Sequence, residues 1–180
     1  MIVRIIVNTA VILLLAVIQT AFVSALDGWL NNLQLIIIYT LLLIAIDKKP
    51  LAYIYAFASG LVLGFFSLAP FGLYALSLLF AVFIVDMVFE NIITNRSLYS
   101  FVMLCAVANV SYKIFLYSSW SIVAWLKFDI APFVVNPNFW LLEFKSLLLN
   151  MIVMLVAYQG LSFISKKYQP RFLLGFNRYG

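Results

Sequence analysis

Three polar side chains in the last two apolar blocks of the chain have the types and spacing of an intramembrane network. Lys113 lies deep in one block, Asn109 precedes it by one helical turn, and Glu143 lies near the start of the next block. A charge at that depth is costly, so Lys113 either extends to the nearer membrane surface or pairs with Glu143, for which Lys145 competes. Asn109 is expected to donate a hydrogen bond to another helix. Two interpretations stay open: an internal structural network, or a contact with a ligand or partner.

A second group of charges lies at the end of the fourth apolar block. Asp86 and Glu90 are four residues apart and share one helix face, and Arg96 follows in the next gap. One interpretation places these carboxylates at the membrane interface near the arginine. The alternative is an acidic patch that binds a partner or a coupled ion.

The sequence offers little for catalysis or metal binding. It has no histidine, the commonest general base and metal ligand, and its only cysteine, Cys105, has no partner for a disulfide. No glycine-rich phosphate loop, catalytic carboxylate pair or serine nucleophile motif is present. The net charge is +5, but no basic face exists that would bind nucleic acid. We therefore expect a protein that is not an enzyme and that binds neither a cofactor nor nucleic acid.

The composition places most of the chain in lipid. Of its 180 residues, 67% are hydrophobic and 9% are charged, and the mean hydropathy is +1.15. About a quarter of the residues of a typical soluble domain are charged. A chain this apolar cannot cover its surface with polar groups, so we expect membrane lipids to be its immediate partners.

The apolar residues form six blocks that meet or approach the roughly 20 residues needed to cross a bilayer. They lie at residues 5–26, 33–46, 51–68, 73–89, 98–120 and 139–164. The second is short and is expected to be tilted, half-buried or extended into Asn31 and Asn32. Continuous apolar runs favour helices over a β-barrel. The predicted fold is an all-α membrane protein, a polytopic bundle of about six transmembrane helices at 1–164, with a basic, aromatic cytoplasmic tail at 165–180.

The positive charges predict the orientation of the chain in the membrane. With the N-terminus inside, eight basic residues fall on the cytoplasmic side: Arg4, Lys48, Lys49, Arg96, Lys166, Lys167, Arg171 and Arg178. Only Lys127 falls in an outer loop, and the four tryptophans fall at the outer helix ends, as in half of an aromatic belt. Both termini are therefore expected in the cytoplasm. The tail is expected to lie on the anionic inner leaflet or to bind a cytoplasmic partner.

Small residues recur every four positions in the third block: Ala52, Ala56, Gly60 and Gly64. Residues at this spacing share one helix face, and small ones let another helix backbone come close. The strip either packs against a helix of the same chain or forms a docking face for a partner protein.

The segment between the third and fourth blocks predicts a tight hairpin. Pro70 suits the first turn of the fourth helix, where its missing N–H costs nothing. Gly72 lets the chain turn sharply where the outer loop is only a few residues long.

Residues 60–76 resemble the central signature of the bacterial rod-shape-determining protein MreD family. The matching residues are Gly60, Leu61, Ser67, Pro70, Gly72, Ala75 and Leu76. Two positions depart, because Gly64 stands where an aspartate is common and Leu68 where a glycine is common. The lack of that acid favours a contact surface over an ion site.

The resemblance implies a non-enzymatic scaffold in the bacterial inner membrane. Members of that family work in cell elongation with an MreC-like protein, the MreB filament and peptidoglycan synthases. They are also thought to share the six-helix fold of the substrate-binding components of energy-coupling-factor transporters. The alternative function is therefore a component that binds a small, vitamin-like molecule, and the oligomeric state stays open.

Overall fold

The structure is a computed structural model that describes residues 2–23, 25, 28–67, 70–91, 98–126 and 137–168. Within these ranges the chain is all-helical and has no β-strand, which confirms the predicted all-α class. The six α-helices are α1 Ile2–Val17, α2 Leu35–Ala45, α3 Lys49–Phe65, α4 Leu73–Asn91, α5 Leu98–Trp125 and α6 Phe139–Tyr168. Each coincides with one apolar block of the sequence. The last, α6, continues four residues into the segment predicted as the tail.

Among the described residues, three helices are long and apolar enough to cross a membrane by themselves, namely α4, α5 and α6. The others are shorter apolar helices, and α2 has only 11 residues. These lengths support a membrane protein. Of the three alternatives for the short second block, an α-helix extended through Asn31 and Asn32 is wrong, since both residues belong to a separate 3₁₀ helix, Gly28–Asn32. In the same region α1 is followed by a π-helical segment, Ile18–Val23.

Neighbouring helices of the bundle pack antiparallel around an apolar core. The aromatic ring of Phe80 on α4 stacks on that of Phe115 on α5, with centroids 4.7 Å apart. Towards the other end, Phe101 on α5 lies 5.9 Å from Phe89 and 4.9 Å from Tyr158 on α6. The core between these helices contains fully buried side chains of α2, α4 and α5, such as Ile44, Leu78 and Leu104.

Candidate functional site

The sequence-predicted ion pair between α5 and α6 is present in the structure. The ammonium of Lys113 contacts the carboxylate of Glu143, and both side chains are mostly buried. Lys113 also donates a hydrogen bond of 2.9 Å to Oγ of Ser146, and the Tyr117 hydroxyl donates one of 2.7 Å to Glu143. Lys145 is exposed on the same helix. Since a buried charge is tolerated only with a partner and further hydrogen bonds, this group is a stable unit that joins α5 to α6.

The polar cluster continues from the ion pair to the backbone just before α2. Asn150 on α6 is fully buried, and its side-chain oxygen accepts a 2.7 Å hydrogen bond from the backbone N–H of Gln34. Its amide nitrogen donates to the carbonyl oxygen of Asn32 at 3.2 Å. Ser146 donates to the same carbonyl, also at 3.2 Å. Two side chains of α6 therefore fix a segment that is about 115 residues distant in sequence.

The π-helical segment that follows α1 contacts the same stretch of backbone. Gln19, in the π-helical segment, donates a 2.5 Å hydrogen bond to the carbonyl oxygen of Leu33. Its side-chain oxygen accepts a 2.9 Å bond from the backbone N–H of Leu35, the first residue of α2. The Gln19 side chain thus pairs with a carbonyl and an N–H at the start of α2, where backbone groups have no partner within the helix.

These contacts explain how the two residues between the 3₁₀ helix and α2, Leu33 and Gln34, are accommodated within the bundle. Ser146 and Asn150 lie seven and eleven residues after Phe139, so the break lies about 10–16 Å below that end of α6. Backbone without helical pairing survives at membrane depth only where protein groups satisfy it. We infer that Gln19, Ser146 and Asn150 are what permits α2 to begin in the interior.

Asn109 plays a different part from the one that its position in the sequence predicts. It is buried, but its amide nitrogen donates to the carbonyl oxygen of Cys105 in its own helix at 2.9 Å. The expected hydrogen bond to another helix is therefore wrong for this donor. Its neighbour Cys105 makes a contact with α6 instead, since the Cys105 thiol lies 3.5 Å from the carbonyl oxygen of Asn150.

Replacing Asn150 by leucine is expected to lower the free energy of unfolding by about 2 kcal/mol, because it leaves the half-buried Gln34 N–H without an acceptor. The matched control is Asn109→Leu, at a residue equally buried whose amide bonds only within α5. That change is expected to be nearly neutral. Thermal unfolding of both variants in detergent measures the difference. Equal stability of the two variants would contradict the role assigned to Asn150.

The strip of small residues on α3 is covered by the chain itself. Ala52, Ala56, Gly60 and Gly64 are all buried. A Cβ atom added to Gly60 would lie 2.4 Å from the Cα atom and 2.7 Å from the backbone nitrogen of Ala75 on α4. The strip therefore serves internal packing, which was one of the two interpretations. It is not an open docking face for a partner.

The hairpin between α3 and α4 is a tight turn, as predicted. Gly72 has φ +85°, and the N–H of Leu73 donates to the carbonyl oxygen of Pro70 at 3.2 Å. A glycine with positive φ at the third position is the pattern of a type II turn. Pro70 lies three residues before the first residue of α4, so its predicted place in the first helical turn is wrong. Its ring instead occupies the first position of the turn.

The carboxylates at the other end of α4 pair with a residue of α3. The ammonium of Lys49 lies 2.7 Å from Asp86 and also contacts Glu90. The hydroxyl of Tyr53 donates to Asp86 at 3.1 Å. The predicted neighbour, Arg96, lies outside the described residues. Because Lys49 and Tyr53 occupy the Asp86 carboxylate, the cluster links α3 to α4 more directly than it offers an acidic patch.

The interior offers little room for a ligand where the structure describes it. A gap between α2, α4 and α5 is lined by apolar side chains with Thr40, and it is too narrow to admit a water molecule. Among the described residues, no group of three or more histidine, cysteine, aspartate or glutamate side chains lies close enough to hold a metal ion.

Searches against models of protein families, curated proteins and solved structures found no match to the chain. The resemblance to the MreD family therefore stays a prediction from residues 60–76.

The sequence analysis singled out Glu143 on α6 but not Ser146 or Asn150. Glu143, Ser146 and Asn150 follow one another at spacings of three and four residues, so they lie on one side of the helix. Polar residues at that spacing in an apolar block are a usable signal for a buried polar face. Gln19 gave a weaker signal, because a single glutamine near a helix end is also typical of a membrane interface.

Proposed function

We propose that the chain is a non-enzymatic scaffold of the cell-elongation complex in the bacterial inner membrane, with both termini in the cytoplasm. In this role it contributes to cell shape and peptidoglycan synthesis by binding partner proteins through its helices. An MreC-like protein is the first partner that the family resemblance suggests.

The observation that carries the proposal is where the MreD-like residues lie in the fold. Gly60 and Ala75, both part of the signature, meet where the backbones of α3 and α4 come close. Pro70 and Gly72, also part of it, form the turn that joins these helices. The matching residues thus belong to one packing unit.

Because the strip of small residues on α3 is buried within the chain, we expect the partner to contact a different helix face. Within the most apolar stretch of each helix, only 22% of α6 is buried inside the bundle, compared with 44% of α4 and 39% of α5. Leu148, Ile152 and Val156 are exposed on α6 at a spacing of four residues. We expect a membrane helix of the partner to pack against this row.

Affinity purification from native membranes, followed by identification of the proteins recovered, tests the proposal. An MreC-like protein is expected to co-purify. Ile152→Trp is expected to reduce its recovery about tenfold, because the larger side chain would hold the partner helix away from α6. Ile54→Trp on α3 is the matched control, since Ile54 is 56% exposed and Ile152 is 58% exposed. Recovery without any component of a cell-elongation complex would refute the scaffold proposal.

The second candidate is a membrane component that binds a small, vitamin-like molecule. The favouring observation is the mostly buried cluster of Lys113, Tyr117 and Glu143 near the non-α-helical segment before α2, an arrangement also found at transporter sites. The narrow gap in the interior counts against it. Saturable binding of such a solute that is lost in Lys113→Met would favour this candidate over the scaffold.

A further inference from the structure

One peptide group between the 3₁₀ helix and α2 is shared by two side chains that are distant in sequence. This middle peptide joins Leu33 to Gln34, and its backbone is not helical, since Gln34 has φ −110° and ψ 73°. The carbonyl oxygen of Leu33 accepts a hydrogen bond of 2.5 Å from the Gln19 amide. The N–H of Gln34 donates one of 2.7 Å to the Asn150 amide. The π-helical segment and α6 therefore hold the same peptide group.

The geometry of a peptide group couples these two hydrogen bonds. The middle peptide is trans, so its C=O and N–H point in opposite directions and its atoms move as one plane. A rotation of that plane about the axis between its two Cα atoms displaces the carbonyl oxygen and the N–H together. The bond to Gln19 and the bond to Asn150 are therefore lost in the same movement.

The same two amides also bind the neighbouring peptide groups. The Asn150 amide nitrogen donates to the carbonyl oxygen of Asn32 at 3.2 Å, and the Gln19 side-chain oxygen accepts from the N–H of Leu35 at 2.9 Å. Each amide thus bridges a carbonyl group and the N–H two residues later. Gln19 and Asn150 form no hydrogen bond with each other, so the middle peptide is the group through which one amide affects the other.

Both hydrogen bonds of the middle peptide depend on where other helices lie. A hydrogen bond within a helix persists when that helix moves as a whole. A bond to a side chain of another helix is lost when the two helices shift relative to each other. Gln19 lies in a π-helical segment, a rare conformation that occurs mostly as short insertions in α-helices. The middle peptide is therefore sensitive to the positions of α6 and of the π-helical segment.

We propose that the middle peptide is a latch that couples α6 to the π-helical segment after α1. In the closed latch both amides bind the peptide. When either element shifts, the peptide rotates and both bonds are lost together. A displacement of α6 thereby reaches the π-helical segment, and by linkage a displacement of that segment reaches α6 to the same degree. The latch acts within one chain and is independent of the scaffold role.

Residue-resolved hydrogen–deuterium exchange of the full chain in detergent tests the latch. Gln19→Met removes one amide with little change in side-chain size and leaves the Asn150 acceptor intact. We expect the Gln34 N–H to exchange at least about tenfold faster in this variant, because the peptide rotates more often. The N–H of Leu78, a fully buried residue of α4, should keep its wild-type rate. An unchanged rate at Gln34, or equal acceleration at Gln34 and Leu78, would overturn the proposal.

The reciprocal variant, Asn150→Leu, acts from α6. We expect the Leu35 N–H to exchange at least about threefold faster, because a rotated peptide leaves Gln19 with one hydrogen bond instead of two. Asn109→Leu is the control, since Asn109 is equally buried and its amide bonds only within α5. A Leu35 rate that is unchanged in Asn150→Leu, or equally raised in Asn109→Leu, would contradict the coupling. The two test variants lie in different elements, so if one fails to fold the other still decides.

Discussion

Replacing Gly60 by alanine is expected to destabilise the protein by about 1–3 kcal/mol, although the new side chain is a single methyl group. The methyl would lie 2.4 Å and 2.7 Å from two backbone atoms of Ala75, and backbone cannot move aside as a flexible side chain can. The backbones of α3 and α4 must therefore move apart at this point. We expect Tm in detergent to fall by roughly 5 °C, measured by circular dichroism during heating.

Two other helical glycines provide matched controls for this prediction. A Cβ atom at Gly64 would lie 3.8 Å from the nearest atom, the backbone nitrogen of Gly72, and one at Gly160 would meet nothing within 4 Å. Alanine at either position is expected to be neutral or to stabilise the helix by up to about 1 kcal/mol. If Gly60→Ala matched these controls, the close approach of α3 to α4 would be wrong. The comparison also separates a folding defect from the loss of a partner, since Gly60 is covered by the chain itself.

Replacing Lys113 by methionine is expected to cost about 3 kcal/mol, because it leaves the Glu143 carboxylate buried without its cation. The bond from Tyr117 remains, but a neutral hydroxyl does not balance a charge in this environment. The double variant Lys113→Met with Glu143→Gln removes both charges and should recover at least about half of the loss. Thermal unfolding of the wild type, both single variants and the double variant gives the coupling between the two side chains.

The control for the ion pair is a lysine on the same helix as Glu143. Lys145 is exposed, and Lys145→Met is expected to change the free energy of unfolding by no more than about 0.5 kcal/mol. A coupling near zero between positions 113 and 143, or equal losses in Lys113→Met and Lys145→Met, would show that the pair does not support the fold.

The charges on α4 show how far sequence reasoning reached at a single site. Asp86 and Glu90 were correctly placed on one helix face, because a spacing of four is a local property of any helix. The sequence suggested only Arg96 as a nearby cation, and Arg96 lies outside the described residues; the structure adds Lys49 of α3, which contacts both carboxylates. The partner depends on which helix packs against α4, and no spacing within α4 contains that information.

The sequence by itself indicated an all-α chain with helices apolar enough for a membrane, where the six described helices lie and that α3 and α4 form a tight hairpin. These features follow from hydropathy, from helical spacing and from the backbone freedom of Gly72, all of which act over a few neighbouring residues. Only the tertiary structure decided what the small-residue strip contacts and how α2 begins. Gln34 and Asn150 are 116 residues apart, so their hydrogen bond exists only because packing brings α6 beside the break. Such bonds are dictated by unpaired backbone groups in the interior, and those groups are defined only once the helices are assembled.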